Sequence, residues 1–237
     1  MRFMGLILAF LASTVWAAPV VEGVVQSSTV VASISHIANL PSGIQYGEKL
    51  ILCAVTQSVF TTASPSESGW SPRVSHSFSG GGMKVLCHER TASGSEASTV
   101  GLVSNNATEL QMVAFRISGA AADQFAFAVA VSPKVCAGFS CNYNSSAPNP
   151  PNLNPAGWDV EDTLWVEVVA HKGGNSVVSY SSGYDDGQSD GNTGGAYGLG
   201  LASAADAVSA ASQDPGVLST SLSRPWVAVT IAVRPAP

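Results

Sequence analysis

The feature that most constrains this chain is a pattern of turn and strand signals that appears twice. Leu50-Ile51-Leu52, opened by Gly47-Glu48-Lys49, is answered by Leu164-Trp165-Val166 after Glu161-Asp162-Thr163. Ser68-Gly69-Trp70 returns as Ser182-Gly183-Tyr184, and Met112-Val113-Ala114-Phe115 as Trp226-Val227-Ala228-Val229, each 114 residues later. Leu40-Pro41-Ser42-Gly43 has its counterpart in Leu153-Asn154-Pro155-Ala156-Gly157. Punctuation held in register over about eighty residues is the mark of one supersecondary unit used twice. Gly69 and Gly183 are expected to adopt a backbone conformation closed to residues with a Cβ. Trp70 and Tyr184 would then fold back over the sheet beside them.

The unit is made of strands. Thr29–Ile37, Leu50–Thr56, Lys84–Glu89, Gln111–Ile117, Phe125–Val131, Thr163–Ala170 and Trp226–Val233 are short and rich in β-branched and aromatic residues. Gly, Pro, Ser and Asn clusters bound them. Leu164-Trp165-Val166-Glu167-Val168 alternates, which predicts one buried and one wet face. The Ala-rich stretch Ala202–Ala211 is the main helix candidate. Each half has too few strands to enclose a core alone. The fold expected is therefore all-β, an antiparallel, jelly-roll-like β-sandwich of two duplicated halves packed face to face. Residues 24–119 form the first half, 120–152 a connecting hairpin and Asn/Pro-rich linker, and 153–235 the second half.

Composition narrows the function classes. The 237 residues hold only ten Lys or Arg and sixteen Asp or Glu, about half the usual share of charge. A net charge of −6 with scattered bases excludes nucleic acid as a partner. The chain is also too apolar to be a disordered acidic segment.

Residues 1–17 read as a secretory signal: Arg2 is the basic start, Met4 to Leu11 the apolar run, and cleavage is expected after Ala17. That run is too short to span a bilayer, and no transmembrane segment is expected in residues 18–237. Four cysteines in an exported chain predict two disulfides. Cys136 and Cys141 bracket a turn, and Cys53 and Cys87 sit in strand-like runs; the spacing leaves all three pairings open. Without a Cys-x-x-Cys pair, zinc is not expected. These features place the protein outside the cell.

No motif fixes a catalytic role. There is no Gly-x-Ser-x-Gly elbow, and His36, His76, His88 and His171 stand in no catalytic context. Glu161, Asp162 and Glu167 are the carboxylates that a glycosidase reading would cite, but acids that open a strand are ordinary turn residues. No enzyme activity and no obligate cofactor are expected. The most chemically suggestive stretch is Tyr184 to Asn192, where Asp185, Asp186 and Asp190 offer hard oxygens for calcium, though not at EF-hand spacing. Trp70, Trp158 and Tyr184 lie beside turns, where an aromatic face can stack on a sugar.

Leu40-Pro41-Ser42-Gly43, Gly47 to Leu52, Ser68-Gly69-Trp70, Arg90 to Glu96, Arg116-Ile117-Ser118-Gly119, Pro150 to Leu153 and the ending Val227 to Pro235 also resemble a broad group of phage and metagenomic β-sandwich proteins. The resemblance implies a structural role in a virion, as a head-decoration, tail or fibre-associated component. Its partners would be other virion or surface-assembly subunits, or further copies of itself. The motifs are structural and carry no binding or catalytic residues across. The signal-like start and the paired cysteines depart from that group. They favour the alternative of a secreted carbohydrate-binding or adhesin module, with a glycan as ligand and calcium in support.

Overall fold

The central strands read as unbroken apolar runs because both of their faces are covered. In a computed structural model describing residues 18–137, 140–194 and 198–237, without the side chains of 123, 137 and 140, the described chain is built of antiparallel strands. The expected signal, residues 1–17, lies outside the described residues. The first sheet takes β1 (Val20–Asn39), β2 (Lys49–Thr56), β3 (Ala63–Pro65), β4 (Ser71–Phe78), β5 (Met83–Thr91) and β6 (Thr99–Ser118). Its order is β1-β6-β2-β5-β4, with β3 against β6.

Gly119, at φ 68°, turns the chain into the second sheet within one residue. There follow β7 (Ala120–Val131), the β8 (Val135–Ala137) and β9 (Ser140–Asn142) hairpin, β10 (Asp162–Lys172) and β11 (Val177–Ser179). The chain ends with β12 (Asp186–Asn192), β13 (Leu199–Ser209), β14 (Ser219–Thr220) and β15 (Trp226–Pro235). The second sheet runs β7-β15-β10-β13-β12, while β11 pairs β14. One core joins the two sheets: Ile51, Cys53, Val113 and Phe115 meet Val166, Val168, Val229 and Ile231, all fully buried. The chain completes one sheet before it enters the other, and this separates its wiring from the interleaved strands of a jelly roll.

The sheets share one strand order, since β1, β6, β2, β5 and β4 correspond in place to β7, β15, β10, β13 and β12. The 114-residue spacing is not kept residue by residue. Val113 and Val227 both face the core, as do Val85 and Leu199. Leu50, however, faces away from the core while Leu164 faces into it. A slip of one residue sends a whole strand's side chains to the opposite face, so β2 and β10 are out of phase by an odd number. The second half also begins earlier than expected: residues 120–131 are the edge strand β7 of the second sheet, not a connecting hairpin.

Two covers complete the molecule. The β1–β6 ribbon folds back over the first sheet, and the Asn39 N–H donates to Ser27 Oγ at 2.8 Å. Twelve residues kept extended would span about 40 Å, so the ribbon has reversed. Its return arm places Ala38, Leu40, Val100 and Leu102 on Leu50, Leu52 and Met112. Over the second sheet runs the Asn/Pro-rich segment expected to be a linker. Ser145 bridges to Arg224, Leu153 bridges to Gln213, and Thr230 Oγ1 donates to the Pro151 carbonyl at 2.6 Å.

The Ala-rich stretch expected to be helical is strand β13 instead. Pairing on both sides, with β10 and β12, outweighs alanine's helical preference. Its small side chains also leave room for Trp165 and Tyr184 against Ala204.

Candidate functional site

The residues singled out from sequence fall into separate places. Gly69 and Gly183 adopt φ of 90° and 88°, the left-handed turn expected of them. The aromatic after each packs on the outer face of its own sheet. Trp70 is half-buried on the Leu50 and Leu52 side of the first sheet, and Tyr184 is wholly buried against Trp165. Burial pushes the Tyr184 hydroxyl well above its ordinary pKa, and the Glu167 and Asp206 charges push the same way. Tyr184 therefore offers no ring to a sugar. Trp158 is half-buried too, and the Arg234 guanidinium lies 5.7 Å from its ring centre. The three candidate aromatics are divided between two outer faces and form no stacking row.

The three aspartates offered for calcium are not gathered. Asp186 and Asp190 lie four residues apart on the extended strand β12, roughly 13 Å along it. Asp190 Oδ2 accepts from the Val177 N–H at 2.8 Å, and its Oδ1 is 3.6 Å from His171 Nε2. Asp185 and Asp186 face Asp206, whose carboxyl is raised by burial and by those two charges. Among the described residues no three His, Cys, Asp or Glu side chains form a cage for a metal ion.

Both disulfides join directly opposed residues of neighbouring strands. Cys53–Cys87 links β2 to β5 inside the core, and Cys136–Cys141 closes the β8–β9 hairpin at the surface.

Glu167 overturns the expectation of a wet outer face on β10. It points away from the core, but the cover lies above it and it is fully buried. Ser181 Oγ donates to Oε2 at 2.6 Å, and the Ser181 N–H reaches Oε1 at 3.4 Å. Burial outweighs both hydrogen bonds and raises the carboxyl to about 7. Glu161 is ion-paired with Arg234, Nε to Oε1 at 2.7 Å. Six residues along a strand place it about 20 Å from Glu167, beyond a glycosidase pair's 5–9.5 Å. Burial holds His36, His76 and His88 below their ordinary pKa. His36 meets Ser104 Oγ at 3.1 Å, yet both are buried on the inner side of the ribbon, away from solvent.

Two surfaces stand out among the described residues. The first is the outer side of the folded ribbon, where Val30, Val31, Ile34 and Ile37 of β1 stand out, Val31 by 73% and Ile37 by 65%. Val103, opposite Ser35, and Phe60, whose carbonyl is held by Asn105 Nδ2, are exposed with them. The chain carries no Asp, Glu, Lys or Arg between Glu22 and Glu48. β1 is the edge of its sheet, and exposed edges are ordinarily protected by charge or proline. The second surface is a cleft of about 370 Å³ between β1 and β12, lined by amides and hydroxyls. Sequence reasoning passed over it because Gln26 and Gln111 come together from 85 residues apart.

No protein-family model, curated protein or solved structure matches the chain. Among the described residues, no helix is long and apolar enough to cross a membrane. The two disulfides are compatible with an extracellular protein.

Proposed function

We propose that this protein is a non-enzymatic structural subunit of a virion or other extracellular surface assembly, working through contacts made by its faces. The observation that carries the reading is the unprotected edge: an uncharged, β-branched crest on β1 with Val31 and Ile37 largely exposed. Apolar residues massed on an edge strand mark a surface meant to be covered. The rest of the chain is consistent with this role. Its histidines and carboxylates are buried, ion-paired or dispersed, and its double cover and core disulfide suit a component that must persist outside a cell.

The test is sedimentation velocity on oxidised residues 18–237, together with proteomics of particles from a producing culture. The expected results are concentration-dependent association, its loss in Val31→Asp/Ile37→Asp, and recovery of the chain with the particles. A chain monomeric at every concentration and absent from the particle fraction overturns the reading.

A further inference from the structure

The cleft beside β1 has a directed floor. Gln26 Nε2 donates across the sandwich to the Leu201 carbonyl at 2.9 Å. This fixes which end of the Gln26 amide is oxygen, and Gln26 Oε1 accepts from Gln111 Nε2 at 2.8 Å. The Gln111 amide is oriented in its turn, and its Oε1 is left buried without a hydrogen-bond partner. Gln111 is itself one of the residues that line the cleft, so this oriented pair of amides forms part of its floor. Gly191 makes the arrangement fit. A Cβ there would come within 2.5 Å of Gln111 Nε2 and 2.9 Å of Gln26 Oε1.

The walls carry the same chemistry. Asn39 and Asn192 add two amides, while Ser27 and Ser28 add hydroxyls. The Ser27 oxygen accepts from the Asn39 N–H, which leaves its own proton to donate. Among the described residues, the lining contains no charged, aromatic or aliphatic side chain. A phosphate or carboxylate would find no cation there, a metal ion no anionic ligand, and an apolar molecule no apolar wall. What fits is a neutral ligand dense in hydroxyls, each able to donate and accept, in a volume within the range of small-ligand sites.

We infer that this cleft is a binding site for a neutral glycan, read by amides and hydroxyls. The site goes beyond the structural role proposed above and is independent of it: the crest and the cleft use different residues of β1, so either can fail alone.

The test follows the side-chain amide signals of Gln26, Gln111, Asn39 and Asn192 by nuclear magnetic resonance. Maltotriose, cellotriose and triacetylchitotriose are each titrated to about 20 mM, with glucose 6-phosphate as the anionic comparison. At least one trisaccharide is expected to shift the Gln111 and Gln26 amides saturably, with glucose 6-phosphate much weaker. Asn192→Ala and Ser28→Ala, which leave the Leu201–Gln26–Gln111 relay intact, are each expected to weaken binding roughly 5- to 10-fold. Three results overturn the proposal: no saturable shift with any trisaccharide, shifts unaltered in both variants, or tighter binding of the phosphate. Gly191→Ala, checked for folding by its amide spectrum, is expected to abolish the shifts by closing the floor.

Discussion

Glu89 and Glu167 are both shut away from water, one in each sheet, and they are accommodated by opposite means. Glu89 lies between two cations. Lys49 Nζ stands 3.2 Å from its Oε2, and Arg73 Nε donates to Oε1 at 2.6 Å while Arg73 Nη2 closes on the same oxygen. Both cations are held in turn by β7, Lys49 through the Ala122 carbonyl and Arg73 over the Phe125 ring at 5.9 Å. Glu167 has the Ser181 hydroxyl and N–H and, among the described residues, no ion-pair partner. The first carboxylate is neutralised by its neighbours and ties the two sheets together. The second is most stable in the fold when it carries a proton. Two carboxylates equally hidden therefore have opposite consequences, decided by what stands within 3 to 4 Å.

The largest effect should come from breaking the first arrangement. Glu89→Gln leaves Lys49 buried without its counter-charge, and removing one partner of a buried pair costs about 3–5 kcal/mol. Urea denaturation at pH 7 measures it, and a loss under about 1 kcal/mol would show the cluster to be well solvated. The disulfides extend the contrast, since the first sheet is stapled in its core and the second only at an outlying hairpin. Loop-closure entropy gives about 4 kcal/mol for the 34-residue span of Cys53–Cys87 and about 2 kcal/mol for the 5-residue span of Cys136–Cys141. Double-alanine variants at the two sites should therefore lose stability in that order, and the reverse order would break the comparison.

The smallest effect depends on pH. A carboxyl raised to about 7 from 4.5 binds more protons folded than unfolded between those values, so stability falls as pH rises through that window. The full shift corresponds to about 3 kcal/mol. The buried histidines, lowered in the fold, act in the opposite sense below their unfolded pKa. The difference between Glu167→Gln and the unmodified protein isolates the carboxyl. That difference should be near zero at pH 4.5 and favour the glutamine variant by up to about 3 kcal/mol at pH 8. A pH-independent difference would mean that Glu167 reaches water or a cation.

Sequence alone carried the strand-forming segments and the two glycine turns. It misjudged faces and covers. Period-2 alternation separates two sides of a strand but says nothing of what lies on either, so Glu167, read as wet, is buried. Tyr184 was read as a loop aromatic and is core. The Asp-rich run, noted for its hard oxygens and read as a loop, is the edge strand β12, where extension carries Asp186 and Asp190 apart. Gln26 and Gln111 gave no local signal, because their meeting depends on β1 lying beside both β6 and β12.

By itself, then, the sequence determined the antiparallel strands, the left-handed turns at Gly69 and Gly183, and the shortage of charge that leaves the β1 edge bare. Local chemistry suffices for these, since β-branched runs, a missing Cβ and missing ions act within a few residues. Only the tertiary structure decided which edge stays exposed, which carboxyl is raised by burial, and where two distant glutamines meet beneath a polar cleft. Those outcomes depend on groups brought together across the sandwich, and burial and electrostatics are properties of that neighbourhood.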